Sequence, residues 1–329
     1  MIKNGLLLIN LGTPGSPDVA AVRRYLRQFL ADKRVITLPA PLRYLLLYGI
    51  ILPFRPRKSA HAYQAIWTPN GSPLLTNSFK LRDKLQARLG ADCKIALGMR
   101  YGRPSIENAL SELQECDNIT ILPLYPQYSS AASGSSIELV LQIMARQDTF
   151  PSINLIRDFH QHPGFIQAQA ELIKPYLSNH DYLLFSYHGV PENHLLQGDC
   201  KTRCIDSCAA SSPNNSSCYR AQCLRTSSLL AKSLGLTAQQ HGTSFQSRLG
   251  RTPWIKPYTD KVLQDLAARG IKRLAIACPS FVADCLETLE EIGMRAKEQW
   301  LALGGEQLTL VPSLNDSDAW VDAVLDIIH

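Results

Sequence analysis

The chain lacks a charged leader, a long apolar run and a cleavage site at its start. Met1-Ile2-Lys3-Asn4 leads straight into the strand-like Leu6-Leu7-Leu8-Ile9, so no signal peptide and a cytoplasmic location are expected. It also lacks a basic block of five or more. Lys plus Arg is 34 against Asp plus Glu 28, a net +6, so nucleic acid is not an expected partner. That mild positive balance would still favour anionic substrates or an acidic membrane face. No spanning-length apolar run is present. The most apolar stretch, residues 38–54, is broken by Arg43 and three prolines and falls short of the ~20 residues a spanning helix needs. Arg55, Arg57 and Lys58 come directly after it. One reading makes it buried core or pocket wall, the other a lip that touches a membrane surface. There are no heptads and no short-period repeat, which leaves the oligomeric state open. The glycine loops lack G-x-G-x-x-G or G-x-x-x-x-G-K-[ST] spacing, so no nucleotide site is read.

What is present is a full complement of core residues, 45% apolar over 329 positions, enough for two ordinary domains. Short apolar runs at 5–11, 94–99, 118–123, 153–156, 181–187, 242–247, 272–278 and 308–311 read as strands. Between them lie helical windows such as 17–31, 74–89, 134–146, 163–178, 258–268, 284–301 and 316–327. Such alternation predicts an α/β fold with parallel sheets covered on both faces. The division is expected near residue 160, giving lobes of 1–160 and 161–329, with the last helix free to cross back.

In an open α/β sheet, ligands bind at the carboxyl ends of the strands. Tyr182-Leu183-Leu184-Phe185 runs into Ser186-Tyr187-His188-Gly189-Val190-Pro191, placing His188 where a strand meets a turn. Leu274-Ala275-Ile276-Ala277 runs into Cys278-Pro279, and the helix after it carries Asp284, Glu287, Glu290 and Glu291. At α-helical spacing Asp284, Glu287 and Glu291 share a face and Glu290 turns away. A lone histidine is more often a satisfied core residue, and an acidic stripe is often merely solvated. Together at adjacent strand ends they suit metal or proton handling. Strand ends elsewhere collect Asn10-Leu11-Gly12-Thr13, Met99-Arg100-Tyr101-Gly102 and Leu124-Tyr125-Pro126-Gln127. They suggest an apolar slot with a few polar fixings, better matched to a large flat ligand than to a phosphate tail.

Residues 199–223 break the pattern. Cys200, Cys204, Cys208, Cys218 and Cys223 lie in a stretch whose Ser/Asn/Pro centre cannot form a core, and a loop this long needs something to hold it. Disulfides do not suit a reducing compartment. Zinc prefers paired hooks, and Cys200-x3-Cys204 and Cys218-x4-Cys223 differ in pitch. Four of the five thiolates could instead hold an iron–sulfur cluster, and spacing alone does not choose the metal.

In this order the motifs resemble the ferrochelatase family nearly end to end. The match runs through Leu8 to Pro14, Met99 to Gly102, Leu124 to Ser129, Ser186 to Pro191, Phe245-Gln246-Ser247-Arg248-Leu249-Gly250, Pro253-Trp254, and Asp284 to Glu291. The resemblance implies two Rossmann-like, chelatase-like lobes with a porphyrin cleft between them, and 38–54 as a lip over it. It implies His188 and Glu287 as the residues that meet substrate Fe2+. Asn10, Leu11, Arg100, Tyr101 and Trp254 would bind the porphyrin, with Asp284 and Glu291 relaying protons or metal. The activity implied is insertion of Fe2+ into protoporphyrin IX, the terminal step of heme synthesis. The alternatives are a chelatase for coproporphyrin or another divalent metal, and a non-catalytic tetrapyrrole-binding or iron–sulfur sensor protein. Two departures stand out. Ser280 replaces the glycine of the family's usual Cys-Pro-Gly-Phe, which predicts no positive φ there. Residues 200–218, with four extra cysteines, are inserted. Some members hold a [2Fe–2S] cluster with internal cysteines, so that cluster is the cofactor the resemblance favours, with Cys223 the residue most open to a non-ligand role.

Overall fold

The computed structural model describes residues 3–195, 217–248, 250 and 252–329. The chain divides into two compact units: Met1–Tyr125 with Ser129–Asp158 and Ile328–His329, and Pro126–Tyr128 with Phe159–Ile327. Cys200, Cys204 and Cys208 lie outside the described residues.

The first unit runs β1 (Asn4–Gly12), α1 (Val19–Leu30), α2 (Ala40–Leu46), α3 (Leu52–Ile66), α4 (Pro73–Leu89), β2 (Cys93–Tyr101), α5 (Ile106–Glu112), β3 (Asn118–Pro123), α6 (Ser135–Met144) and β4 (Ser152–Leu155). Its four strands are parallel in the order β2-β1-β3-β4. β1 is central and covered on both faces, which is why Leu6 to Ile9 reads as an unbroken apolar run and is buried throughout. Leu7, Ile9 and Ile121 pack with Leu110 of α5 and Val140 of α6. α1 starts where the Asp18 carboxylate accepts from the Ala20 and Ala21 amides, satisfying two first-turn donors.

The buried-core reading of residues 38–54 does not hold. Only Leu47 and Leu52 turn inward, while Leu45 is 70% and Phe54 76% exposed. Helix forms there despite the prolines because Pro41 sits in the first turn of α2, where an N–H has no intrahelical partner anyway, and Pro53 comes just after a π-helical turn that carries the helix past it. That turn, Leu47–Ile51, joins the two helices. Among the described residues no helix is long and apolar enough to cross a membrane.

The second unit runs α7 (Pro163–Ile173), β5 (Tyr182–His188), α8 (Tyr219–Ser233), β6 (His241–Gln246), α9 (Thr259–Ala268), β7 (Arg273–Ala277), a π-helix (Glu287–Ala296), α10 (Lys297–Ala302), β8 (Gln307–Leu310) and α11 (Asp318–Ile328). Its sheet is again parallel, β6-β5-β7-β8. Leu184, Leu263, Ile276, Ile292 and Trp300 form its core. α11 belongs to this unit, with the Trp320 ring 5.6 Å from Phe159 and 6.0 Å from Phe165. All eight expected strands are present, their ends moved by at most two residues. Helix α5, the α2–α3 pair and α8 lie outside the expected windows.

Candidate active site

Because β5, β6 and β7 are parallel neighbours, their carboxyl ends share one edge of the sheet. β5 ends on half-buried His188, in register with Gln246 at the end of β6. The next residue, Gly189, donates its N–H to the Gln246 carbonyl at 2.8 Å. A Cβ at this position would lie 2.7 Å from that oxygen, so only glycine allows the approach. The His188 ring folds over this turn, its Nδ1 2.6 Å from the Gly189 carbonyl oxygen. A carbonyl can only accept. Nδ1 therefore carries a proton, and in the neutral ring it is Nε2 that presents the lone pair. The ring lies 6.4 Å from Trp254 and 6.2 Å, edge-on, from Phe281. A short backbone pairing of Val190 and Glu192 with Ile255 and Pro253 holds Trp254 in place.

The carboxylates lie on the helix after β7, which is a π-helix for ten residues. Long π stretches are rare and favour functional sites. Their i, i+5 register stacks Glu290 under Arg295, an ion pair at 2.8 Å. Glu287 opens the helix, its carbonyl accepting from the Gln246 side-chain amide at 2.8 Å. The other end of that amide, Oε1, accepts from the Ser186 hydroxyl at 2.7 Å. Gln246 thus ties β5 and β6 to the start of the acidic helix. Glu291 is gripped by Ser247, with the N–H at 2.8 Å and the hydroxyl at 2.5 Å. Burial pushes the Glu291 carboxyl above its ordinary value, while the Ser247 hydroxyl and the His188 charge pull it down and Glu287 raises it. Glu291 therefore feels both His188 and Glu287. A cavity of about 240 Å³ beside Glu291 is lined by Ser247, Arg248, Asp260, Arg295 and Gln299.

Asp284 is placed differently from the expected acidic stripe. Its carboxylate accepts from the Ser313 amide at 3.0 Å, the Asn315 side chain at 2.8 Å and the Thr288 hydroxyl at 3.3 Å. Those bonds anchor the segment after β8 to the approach of the π-helix. The expected face requires α spacing throughout, whereas Asp284 precedes the helix and Glu287 begins it.

Of the expected porphyrin-binding residues in the first unit, Arg100 and Tyr101 meet on one carboxylate that no motif flagged. Asp32 accepts from Arg100 at 2.6 Å, the Tyr101 hydroxyl at 2.8 Å, the Ser135 hydroxyl at 2.5 Å and the Arg34 amide at 2.7 Å. The Tyr101 side chain has no accessible surface, and burial raises its hydroxyl pKa. Asn10 is also buried, donating to the Ser78 hydroxyl at 3.1 Å and accepting from the Leu11 amide. Leu11 is half-buried.

Two of the five clustered cysteines are described. Cys218 is half-buried and stands at the N-cap position of α8 without a side-chain capping bond, where the helix dipole favours a thiolate. Cys223 is fully buried, and burial raises its thiol far above the ordinary value, with the Cys218 charge adding to the effect. Among the described residues no group of three or more His, Cys, Asp or Glu is arranged to hold a metal.

Two four-stranded parallel sheets under helices, with a histidine and acids at a shared strand edge, define a protein of the chelatase-like α/β fold. The solved structure of SirB from Bacillus subtilis with Fe3+ has this fold, at a TM-score of 0.56 and 11% identity over 99% of this chain and 96% of that one. The ferrochelatase family model matches residues 3–329. The ferrochelatase of Legionella pneumophila strain Philadelphia 1 is 58% identical over 100% of this chain and 99% of its own. That of Coxiella burnetii strain Dugway is 52% identical over 98% and 92%. The chain belongs to the ferrochelatase family.

Proposed function

We propose that this chain inserts Fe2+ into protoporphyrin IX to give protoheme, the terminal step of heme synthesis. His188 and Glu287 meet the metal and the pyrrole protons. The observation that carries this reading is the His188 tautomer. With Nδ1 tied to the Gly189 carbonyl, Nε2 of the neutral ring offers the lone pair, and the Glu291 carboxyl lies within electrostatic reach of His188. Metallation replaces two pyrrole N–H protons by one dication, so the site must take up two protons while lowering the charge of the incoming ion. Nε2 accepts a proton or ligates iron from one face. Glu287 neutralises the cation, and Glu291, which holds a proton more readily than an exposed acid, passes protons toward the adjoining cavity. Iron stays ferrous throughout. Asp284 holds the start of the helix, and Arg100, Tyr101, Asn10, Leu11 and Trp254 serve the porphyrin as walls and supports.

A [2Fe–2S] cluster on Cys200, Cys204, Cys208 and Cys218 is part of this reading, since four thiolates would order a segment that cannot build a core. It would supply structure or a sensing function, and the chemistry at His188 needs no electron from it. The exposed Leu42, Leu45, Tyr48, Ile50 and Phe54, flanked by Arg57 and Lys58, support contact with an anionic membrane surface.

The test is a steady-state assay with Fe2+ or Zn2+ and protoporphyrin IX, run beside coproporphyrin, with the visible spectrum and acid-labile sulfide of the purified protein. Turnover of protoporphyrin IX and a red-brown, sulfide-containing protein are expected. A protein that binds porphyrin and metallates none would overturn the enzymatic reading, and a colourless protein with stoichiometric zinc would overturn the cluster.

A further inference from the structure

The β5 strand outruns one of its neighbours. On the β6 side its pairing continues to His188 and Gln246, but on the β7 side it stops at Phe185 and Ala277. In an extended strand the N–H and C=O of one residue point to one edge, and those of the next residue to the other. Gly189 donates toward β6. Both peptide groups of His188 therefore face the edge that β7 has left, where a buried donor and acceptor need new partners.

Two side-chain hydroxyls stand in for the missing strand. The Ser280 hydroxyl, from the turn after β7, accepts from the His188 N–H at 3.1 Å. The Tyr219 hydroxyl, from the first turn of α8, donates to the His188 C=O at 2.8 Å. Tyr219 is 7% exposed, so its bond to the His188 carbonyl is largely shielded from water. α8 is itself fixed to the sheet, where the Ser227 hydroxyl lies 2.9 Å from that of Tyr187 and 2.8 Å from that of Thr243. The imidazole is thus held twice: at its ring by Gly189, and at its backbone by this pair.

We infer that Ser280 and Tyr219 are positioning residues for metal insertion, a hydroxyl clamp on the His188 peptide that aims Nε2. The inference rests on the reading of His188 as the reacting imidazole. Aim matters because displacements near 1 Å at a reacting group can cost about 10²-fold in rate. Both hydroxyls are engaged by the His188 peptide, so loss of the clamp should appear in kcat and not in porphyrin binding.

The experiment compares Ser280→Ala, Ser280→Thr and Tyr219→Phe with the full-length wild type. Ser280→Ala and Tyr219→Phe should each lower kcat about 3- to 10-fold, the scale of one lost neutral hydrogen bond. KM for protoporphyrin IX should stay within about two-fold, since uniform binding is untouched. Ser280→Thr, which keeps the hydroxyl, should retain most of the rate. In protein labelled with ¹⁵N-histidine, the His188 ring resonances should move in the Ala and Phe variants and stay near wild type in the Thr variant, a readout that general loosening of the fold would not reproduce. Wild-type kcat and ring resonances in both Ala and Phe variants would overturn the clamp, as would equal losses in Ser280→Ala and Ser280→Thr. His188→Ala separates the two levels of inference. If that variant still metallates porphyrin, the role of His188 fails; if it is inactive while the clamp variants match wild type, only the clamp fails.

Discussion

The two sheets share one plan and end differently. Each places its first strand in the centre, in the orders β2-β1-β3-β4 and β6-β5-β7-β8, with every strand parallel. At the carboxyl end of the first, the polar groups close on one another, Arg100, Tyr101 and Ser135 all on Asp32. At the carboxyl end of the second, hydrogen bonds go to backbone and supports: Gly189 fixes the His188 ring through Nδ1, Gln246 the Glu287 backbone carbonyl, and Ser247 the Glu291 carboxylate. A closed network suits a supporting role, whereas a propped, open one suits the chemistry proposed for His188. That contrast sets the largest expected effects. His188→Ala and Glu287→Gln should each lower metallation about 10²- to 10⁴-fold, the range for a lost acid–base group. Unfolding midpoints should stay close to wild type, since neither side chain is a core residue. A wild-type rate in either variant would erase the difference between the two strand ends.

The converse substitution is Asp32→Asn. It leaves the Arg100 charge in a mostly buried site with no anion, and removing one partner of such a pair costs roughly 3–5 kcal/mol of stability. Denaturant unfolding should read this directly. The acid side carries a second signature. Burial works against the Asp32 carboxylate, yet hydrogen bonds from Ser135, Arg34 and Tyr101 and the Arg100 charge together hold its pKa below the ordinary 3.8. A depressed folded pKa gives stability that is present above the unfolded value and lost as pH falls through the folded one. Wild type should therefore lose this contribution below about pH 3.8, and Asp32→Asn should show a flatter acid limb. Equal acid sensitivity in both proteins would mean that the network is not the anchor it resembles.

The strands and His188 were legible in the sequence for a simple reason. Strands buried on both faces read as bare apolar runs, and a parallel sheet brings the residues just past them to one edge. Glu287 stood out only as one member of an acidic stripe at helical spacing, and it was the family resemblance that singled it out. The partners were not. Asp32 carries no motif, because an aspartate after a helix looks like any solvated loop residue until folding brings Arg100 beside it. Gln246 and Ser247 lie inside a recognisable motif, yet nothing in their chemistry announces that an amide will cap the Glu287 carbonyl. The π register was hidden for a related reason. Apolar and acidic spacing is compatible with either helix, and only the Glu290–Arg295 pair at i, i+5 distinguishes them. The α2–α3 pair was masked by prolines, which usually end or kink a helix, yet Pro56 lies inside α3 and the helix continues to Ile66.

The smallest effect is expected at Ser247, where support and strain coincide. Its φ of +65° lies in the left-handed region, which costs a residue with a Cβ about 1–2 kcal/mol. The conformation persists because it aims both the Ser247 amide and its hydroxyl at Glu291. Ser247→Ala removes the hydroxyl bond and keeps the strain, so it should lose about 1.5–3 kcal/mol, as for a hydrogen bond to a charged group. Ser247→Gly removes the same bond and relieves the strain, with part of the gain returned through a more flexible unfolded chain. Glycine should therefore be the more stable of the two by about 1 kcal/mol, measurable as a difference in denaturation midpoint. Both variants withdraw one donor from Glu291 and should push its carboxyl further upward, moving the pH profile of metallation the same way in each. If alanine proves as stable as glycine, the left-handed turn stores no strain, and the grip on Glu291 comes from hydrogen bonding alone.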